Sequence, residues 1–232
     1  MMLGPSHLPI KNNINRMILR RKEYYLQLKK FFDGEIQWNH SSLSILKKKL
    51  RLNLRVQQDG RCIYCRRLIL NERRNVYEDI EHFLDKSKDY YRRWAFTYIN
   101  LSLACHACNI QKSNRDLGTQ DHRNSASYPA GVGIYSWLHP YFDDYHANLI
   151  VGKGWTYSLR PNAPAAMQAD RMINECKLDE VQTIEAYSED IKKRILRLTV
   201  LAHKANKSQR YALSNRLLEE SIRYQEEQWH NY

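Results

Sequence analysis

Apolar residues recur at helical spacing near both ends of the chain, and strand-like alternation lies only between them. After an irregular stretch over 1–13, the segment from Ile14 to Phe32 reads as a helix rich in Arg, Lys and Tyr. Leu43, Leu46, Leu50 and Leu54 then share one face of a second helix, capped by Ser41 or Ser42 and ended by Gly60. Its other face carries Lys47, Lys48, Lys49, Arg51 and Arg55, which make either a solvated surface or a phosphate-facing ridge. Past Gly60 the texture changes. Leu68-Ile69-Leu70 is a short apolar run, Val76 to His82 alternates like a strand, and Leu84 to Arg93 is a charged loop. Trp94 to Leu103 supplies aromatic and β-branched residues suited to a second strand, and a short helix follows to about Asn114.

Residues 115–134, with Gly, Ser, Asn, Asp and Pro129, read as a loop or linker, and 135–160 as short strands around His139-Pro140-Tyr141-Phe142. After Pro161 and Pro164 the chain turns helical. A helix starts at Asp179 with Val181, Ile184, Ile191, Ile195 and Leu198 on one side, and a last amphipathic helix spans Ser208 to Trp229. The pattern predicts an α+β protein in three parts. Residues 1–59 form a basic helical region, 60–114 a compact core, and 115–232 a linker, short strands and a helical C-terminal region.

Composition sharpens this picture in one respect. Of 232 residues, 43% are hydrophobic, enough for a packed interior, and the formal charge is +12. Residues 1–60 hold 12 Lys and Arg against 4 Asp and Glu, so much of the excess precedes the first cysteine. Such a balance favours a polyanionic partner, because basic side chains displace condensed counterions from phosphate backbones. No stretch approaches the run of about 18 apolar residues that spans a bilayer. The N-terminus has no apolar core of a signal peptide. The expected compartment is therefore the reducing cytoplasm, without membrane attachment.

In that compartment paired Cys-x-x-Cys motifs are metal sites more often than disulfides. Cys62-x-x-Cys65 and Cys105-x-x-Cys108 have 39 residues between them, longer than a plain zinc ribbon and consistent with a small strand–strand–helix unit held between the pairs. Four thiolates close a tetrahedral structural site around Zn²⁺ with no open coordination position, so this site holds the fold and does no chemistry. His106, between the second pair, is the rival ligand should one cysteine be unused. Cys176 stands alone and reads as a small buried hydrophobe.

The candidate chemistry lies inside the clamp. Glu81-His82, Asn100 and Asn109 each mean little alone, but their joint placement matches a pattern: Cys62-x-x-Cys65, Glu81-His82-Phe83, Asn100-Leu101, then Cys105-x-x-Cys108-Asn109-x-x-Lys112. Over about Gly60 to Asn114 this resembles the HNH endonucleases, a ββα-metal nuclease family. The resemblance implies that His82 is the general base, that Glu81 and Asn109 hold a catalytic Mg²⁺ or other divalent cation, and that Asn100 braces the loop orienting His82. A neutral imidazole suits a base near pH 7, and an oxygen shell suits Mg²⁺. Lys112, one helical turn beyond Asn109, either neutralises a phosphate or is a solvated lysine. The implied activity is hydrolysis of DNA, with RNA as the other polyanion that fits a basic, aromatic surface. A zinc module that binds nucleic acid without cutting it shares the cysteines and the charge.

A narrower resemblance rests on Cys62-Ile63-Tyr64-Cys65 and Ile80-Glu81-His82-Phe83 followed by Lys86-Ser87. These strings are similar to the HNH subunit of Septu and retron-associated anti-phage systems, which implies a bacterial defence effector working with an ATPase subunit. Asp85 departs from that group, which has proline before the lysine. The 16 tyrosines and the amphipathic C-terminal helices also suit a homo-oligomer.

Overall fold

The computed structural model describes residues 13–69, 71–72, 75–152 and 155–230. The irregular stretch expected over 1–13 lies outside them up to residue 12, as does Leu70 of the short apolar run. The chain forms two compact units, 1–179 and 180–232. The described residues are mixed α+β, with three two-stranded antiparallel sheets. None of their helices is long and apolar enough to cross a membrane.

The first expected helix is divided into α1 (Asn13–Leu19) and α2 (Tyr25–Phe32), with extended backbone at Arg21 and one 3-10 turn between them. The physical reason is burial: Ile18, Tyr24 and Phe31 are all in the core. On one straight helix, at about 100° per residue, Ile18 would sit roughly 120° from Tyr24 and about 140° from Phe31. α3 (Ser44–Gln57) carries the leucine stripe as read, and Leu43, Leu46, Leu50 and Leu54 are fully or almost fully buried. Its cap comes earlier than expected: His40 Nδ1 accepts from Ser42 N (3.3 Å) and starts a 3-10 turn. At the far end Gly60, with φ +65°, returns its N–H to the Arg55 carbonyl (2.8 Å) and reverses the chain into the first cysteine pair.

β1 (Asn71–Glu72) and β2 (Asn75–Val76) make a minimal ribbon, followed by β3 (Glu78–His82), α4 (Asp89–Arg92), β4 (Leu101–Cys105) and α5 (His106–Lys112). β3 and β4 pair antiparallel, with Glu78 opposite Cys105, Ile80 opposite Leu103 and His82 opposite Leu101. The strand expected over Trp94–Leu103 forms only from Leu101. Before it the chain turns, and Trp94, Ala95 and Phe96 are buried as loop residues. α3 is joined to this hairpin through Gln58, fully buried, whose carboxamide donates to the Leu103 carbonyl and accepts from Leu103 N.

The expected linker contains α6 (Gln120–Asn124), capped by Thr119. Then come α7 (Tyr145–Asn148), β5 (Leu149–Val151), β6 (Tyr157–Leu159) and α8 (Ala166–Glu175). His139–Phe142 is a turn, buried up to Tyr141 and half-buried at Phe142, in which Asp143 Oδ2 accepts from His139 N, and not strand. α9 (Leu178–Lys207) leads into the second unit and α10 (Tyr211–His230) ends it. Within that unit the seam between the helices is made of small residues. Ala202, Ala205, Ser214 and Ser221 are buried, and Ser214 Oγ donates to the Ala202 carbonyl (3.0 Å). Of the anticipated apolar stripe Ile191 is buried and Ile195 and Leu198 are half-buried, while Leu196 and Val200, off that stripe, are exposed.

Candidate metal centre and active site

The two cysteine pairs converge. The Sγ atoms of Cys62, Cys65, Cys105 and Cys108 all lie within 4.8 Å of one another, with Cys65 and Cys105 at 3.9 Å. Zn–S bonds of about 2.3 Å give a tetrahedron with edges of about 3.8 Å, so this quartet can hold a metal ion such as zinc with little movement. All five cysteines are free thiols. His106 is outside the quartet: its exposed ring places Nδ1 2.9 Å from Asp79 Oδ2. Cys176 is buried, its Sγ 4.0 Å from the Cys108 carbonyl.

Each pair is seated by the fold around it. Ile63 N donates to the Leu103 carbonyl (3.0 Å), Arg66 N to Cys62 O and Cys62 N to Arg67 O, so the first pair turns tightly beside β4. The second pair straddles the end of β4 and the start of α5. A second observation bears on what the quartet holds. Arg66 is fully buried, and its three guanidinium nitrogens have no hydrogen-bond partner among the described residues. Its charge lies 5.9 Å over the Tyr145 ring; burial pulls its pKa down, opposed by the charges of Tyr145 and Cys62. An uncompensated buried cation costs several kcal/mol. Four thiolates around a Zn²⁺ would carry excess negative charge, and Cys62, whose charge already acts on Arg66, belongs to that quartet, so a filled site would supply the missing counter-charge.

The opposite end of β3 forms a cleft of about 380 Å³ lined by Glu81, His82, Lys86, Asn109, Lys112 and Asn114, among others. His82 is 3% exposed. Its Nε2 lies 3.1 Å from the Ala95 carbonyl, which only accepts, so the proton is on Nε2 and the lone pair on Nδ1. Burial, then the positive charges of Lys86 and Lys112, hold its pKa well below the usual histidine value, and the ring is neutral at pH 7. Trp38 packs edge-on against it, with ring centres 4.4 Å apart.

Glu81 Oε1 accepts from Tyr64 Oη (3.0 Å) and pairs with Lys112 Nζ (2.6 Å). Lys112 is 2% exposed and also donates to the His82 carbonyl (2.7 Å). It is neither a surface lysine nor free of partners, because it ties α5 to the end of β3. Asn109 Nδ2 donates to Asp79 Oδ2 (2.9 Å), which leaves its Oδ1 for another ligand. Asn100 is clamped inside the loop after β3. Its Oδ1 accepts from Leu84 N (2.7 Å) and Tyr128 Oη (3.0 Å), and its Nδ2 donates to the Leu84 and Trp94 carbonyls (3.0 and 3.2 Å). Asp85 forms an Asx turn by accepting from Ser87 N (2.9 Å), so its carboxylate fixes the turn before Lys86 and Ser87.

Tyr128, Tyr141, Tyr145 and Tyr157 buttress this arrangement. Tyr141 Oη donates to the Leu101 carbonyl, Tyr145 Oη to Tyr64 O and Tyr157 Oη to Cys65 O, at 2.6–2.7 Å. His139 accepts from Tyr141 N at Nδ1, so its Nε2–H donates to Tyr128 Oη (2.9 Å), which in turn donates to Asn100. Phe83 is held between Tyr135 and His139. Comparison with known protein families, curated proteins and solved structures finds no match to this chain.

Sequence reasoning passed over Asp79, Tyr64, Trp38 and Arg66. Asp79 was accessible to it, since alternation puts Asp79 and Glu81 on one face of β3. The other three act through tertiary contacts that leave no local pattern.

Proposed function

We propose that the chain is a zinc-stabilised endonuclease of the HNH type that hydrolyses phosphodiester bonds of DNA. The observation that carries the reading is one cleft shared by Glu81, Asn109 and a neutral His82 whose Nδ1 lone pair is fixed by the Ala95 carbonyl. In this reading His82 Nδ1 takes a proton from water as the water oxygen bonds to phosphorus. The bond from phosphorus to the 3′ oxygen breaks, that oxygen takes a proton from solvent, and the ends are 5′-phosphate and 3′-hydroxyl.

Glu81, through the carboxylate oxygen not engaged by Tyr64 and Lys112, and Asn109, through Oδ1, would hold the divalent cation. Two protein oxygens with waters and phosphate oxygens suit Mg²⁺, which when bound supplies positive charge at the phosphate. Lys112 positions Glu81 and the His82 backbone, and Asn100 fixes the loop that begins at Phe83. A binding module without catalysis has no use for a buried neutral histidine of fixed tautomer facing such a cleft.

The narrower reading, an anti-phage effector acting with an ATPase subunit or as a homo-oligomer, extends this proposal; mass in solution with and without the partner tests it. The substrate is tested by offering plasmid DNA and structured RNA side by side across a Mg²⁺ titration. Metal-dependent loss of supercoiled plasmid supports the reading, RNA cleavage alone moves it to RNA, and no cleavage of either overturns it.

A further inference from the structure

Most of the basic face of α3 is not free. Lys49 Nζ pairs with Glu23 (3.1 Å), and Arg51 and Arg55 both reach the buried carboxylate of Glu78 (3.4 and 2.6 Å). Lys47 is different. Its ammonium donates to the Trp38 carbonyl (3.0 Å) and lies 5.6 Å from the centre of the Trp38 ring. Lys86, from the cleft wall, lies 5.5 Å from the centre of the same ring. Among the described residues neither lysine is paired with a carboxylate within ion-pair distance. That ring packs edge-on against His82.

Two half-buried ammonium groups that share one aromatic ring repel each other, and that repulsion is relieved by an anion seated against both. We propose that Lys47, Trp38 and Lys86 form a seat for a backbone phosphate of the nucleic acid, next to the phosphate that faces His82. The inference rests on the nuclease reading for the identity of the anion, but the seat itself is a binding site and is tested as one. A backbone phosphate fits on charge, since one anion meets two cations. It fits on position too, because a strand entering the cleft between Glu81 and Asn109 passes Lys86 at its wall. Burial, with Asp85, Glu81 and Asp79 opposing it, pulls the Lys86 pKa down; burial with the charges of Arg51 and Lys86 does the same to Lys47. Burial is the largest cause of both shifts.

The test is binding of fluorescein-labelled duplex DNA, and separately single-stranded RNA, followed by anisotropy over a salt series without added Mg²⁺. Lys47→Gln and Lys86→Gln should each weaken binding several-fold and reduce the slope of log K against log salt by about 1. Lys47→Arg and Lys86→Arg should restore the slope, which separates lost charge from a disturbed fold. The polymer that loses affinity in the glutamine variants is the one the seat takes. Unchanged affinity and slope in both, with the wild-type chain still cutting plasmid, would overturn the seat and leave the nuclease reading standing. Loss of slope in a chain that cuts nothing would support the seat and sink the hydrolytic reading. A wild-type chain that binds neither polymer overturns the seat outright.

Discussion

Replacing Lys112 by methionine removes an ammonium that is 2% exposed and sits 2.6 Å from Glu81 Oε1 and 2.7 Å from the His82 carbonyl. The methionine fills most of the space, so the change is chiefly one of charge. Glu81, itself 3% exposed, then keeps a carboxylate whose one remaining hydrogen-bond partner among the described residues is the Tyr64 hydroxyl. Breaking one side of a buried pair costs about 3–5 kcal/mol. For a chain of this size that corresponds to a fall in Tm of roughly 6–20 °C. The companion variant is Glu81→Gln combined with Lys112→Met, in which no buried charge is left and the Tyr64 hydrogen bond persists. It should recover most of the loss, since a pair removed whole is often nearly neutral. The assay is thermal unfolding followed by tryptophan fluorescence, with zinc content matched across the three proteins. If Lys112→Met melts within about 2 °C of the wild type, the lysine is not a structural tie. A direct phosphate contact would then be the better reading.

Other consequences follow from the same geometry. Asn100→Asp turns the two N–H donors facing the Leu84 and Trp94 carbonyls into an acceptor, and should cost about 2–4 kcal/mol in denaturant unfolding. Arg66→Met removes the buried counter-charge of the thiolate quartet, so zinc affinity measured against a competing chelator should fall about 10–100-fold while the protein remains folded in excess zinc. His82 is neutral in the folded chain but titrates near pH 6.5 when unfolded, so its contribution to stability is complete above that value and is lost as pH falls below it. His82→Gln should accordingly flatten the dependence of unfolding free energy on pH between 7 and 5, and wild-type cleavage should show no loss of activity between pH 7.5 and 6.5.

The parts legible in the sequence are those where one local rule decides the outcome. The α3 stripe follows from four leucines at helical spacing, and the strand–strand–helix order from alternation up to His82 and cysteines at both ends. The role of the aromatic stretch 135–160 is not legible in the sequence, because its tyrosines work through hydroxyl groups that reach carbonyls on Tyr64, Cys65 and Leu101, far away in the chain. The break between α1 and α2 is set by the need to bury Ile18 together with Tyr24, which no window of sequence contains. In the C-terminal helical hairpin the stripe read from the sequence does turn inward at Ile191, Ile195 and Leu198, but the seam continues through Ala202, Ala205, Ser214 and Ser221, small residues that carry no hydrophobic signal. At the site, residue types were visible and their partners were not. Lys112 could be placed on the helical face of Asn109, but its burial against Glu81 depends on how α5 packs on β3.

The most direct test of the account compares wild type and His82→Ala in plasmid nicking across a Mg²⁺ titration, with zinc content and DNA affinity measured on the same preparations. The account predicts Mg²⁺-dependent conversion of supercoiled plasmid by the wild type. For the variant it predicts equal zinc, equal binding and a rate lower by about 10²-fold or more. Cleavage by the variant at the wild-type rate, or wild-type cleavage indifferent to Mg²⁺, would contradict it.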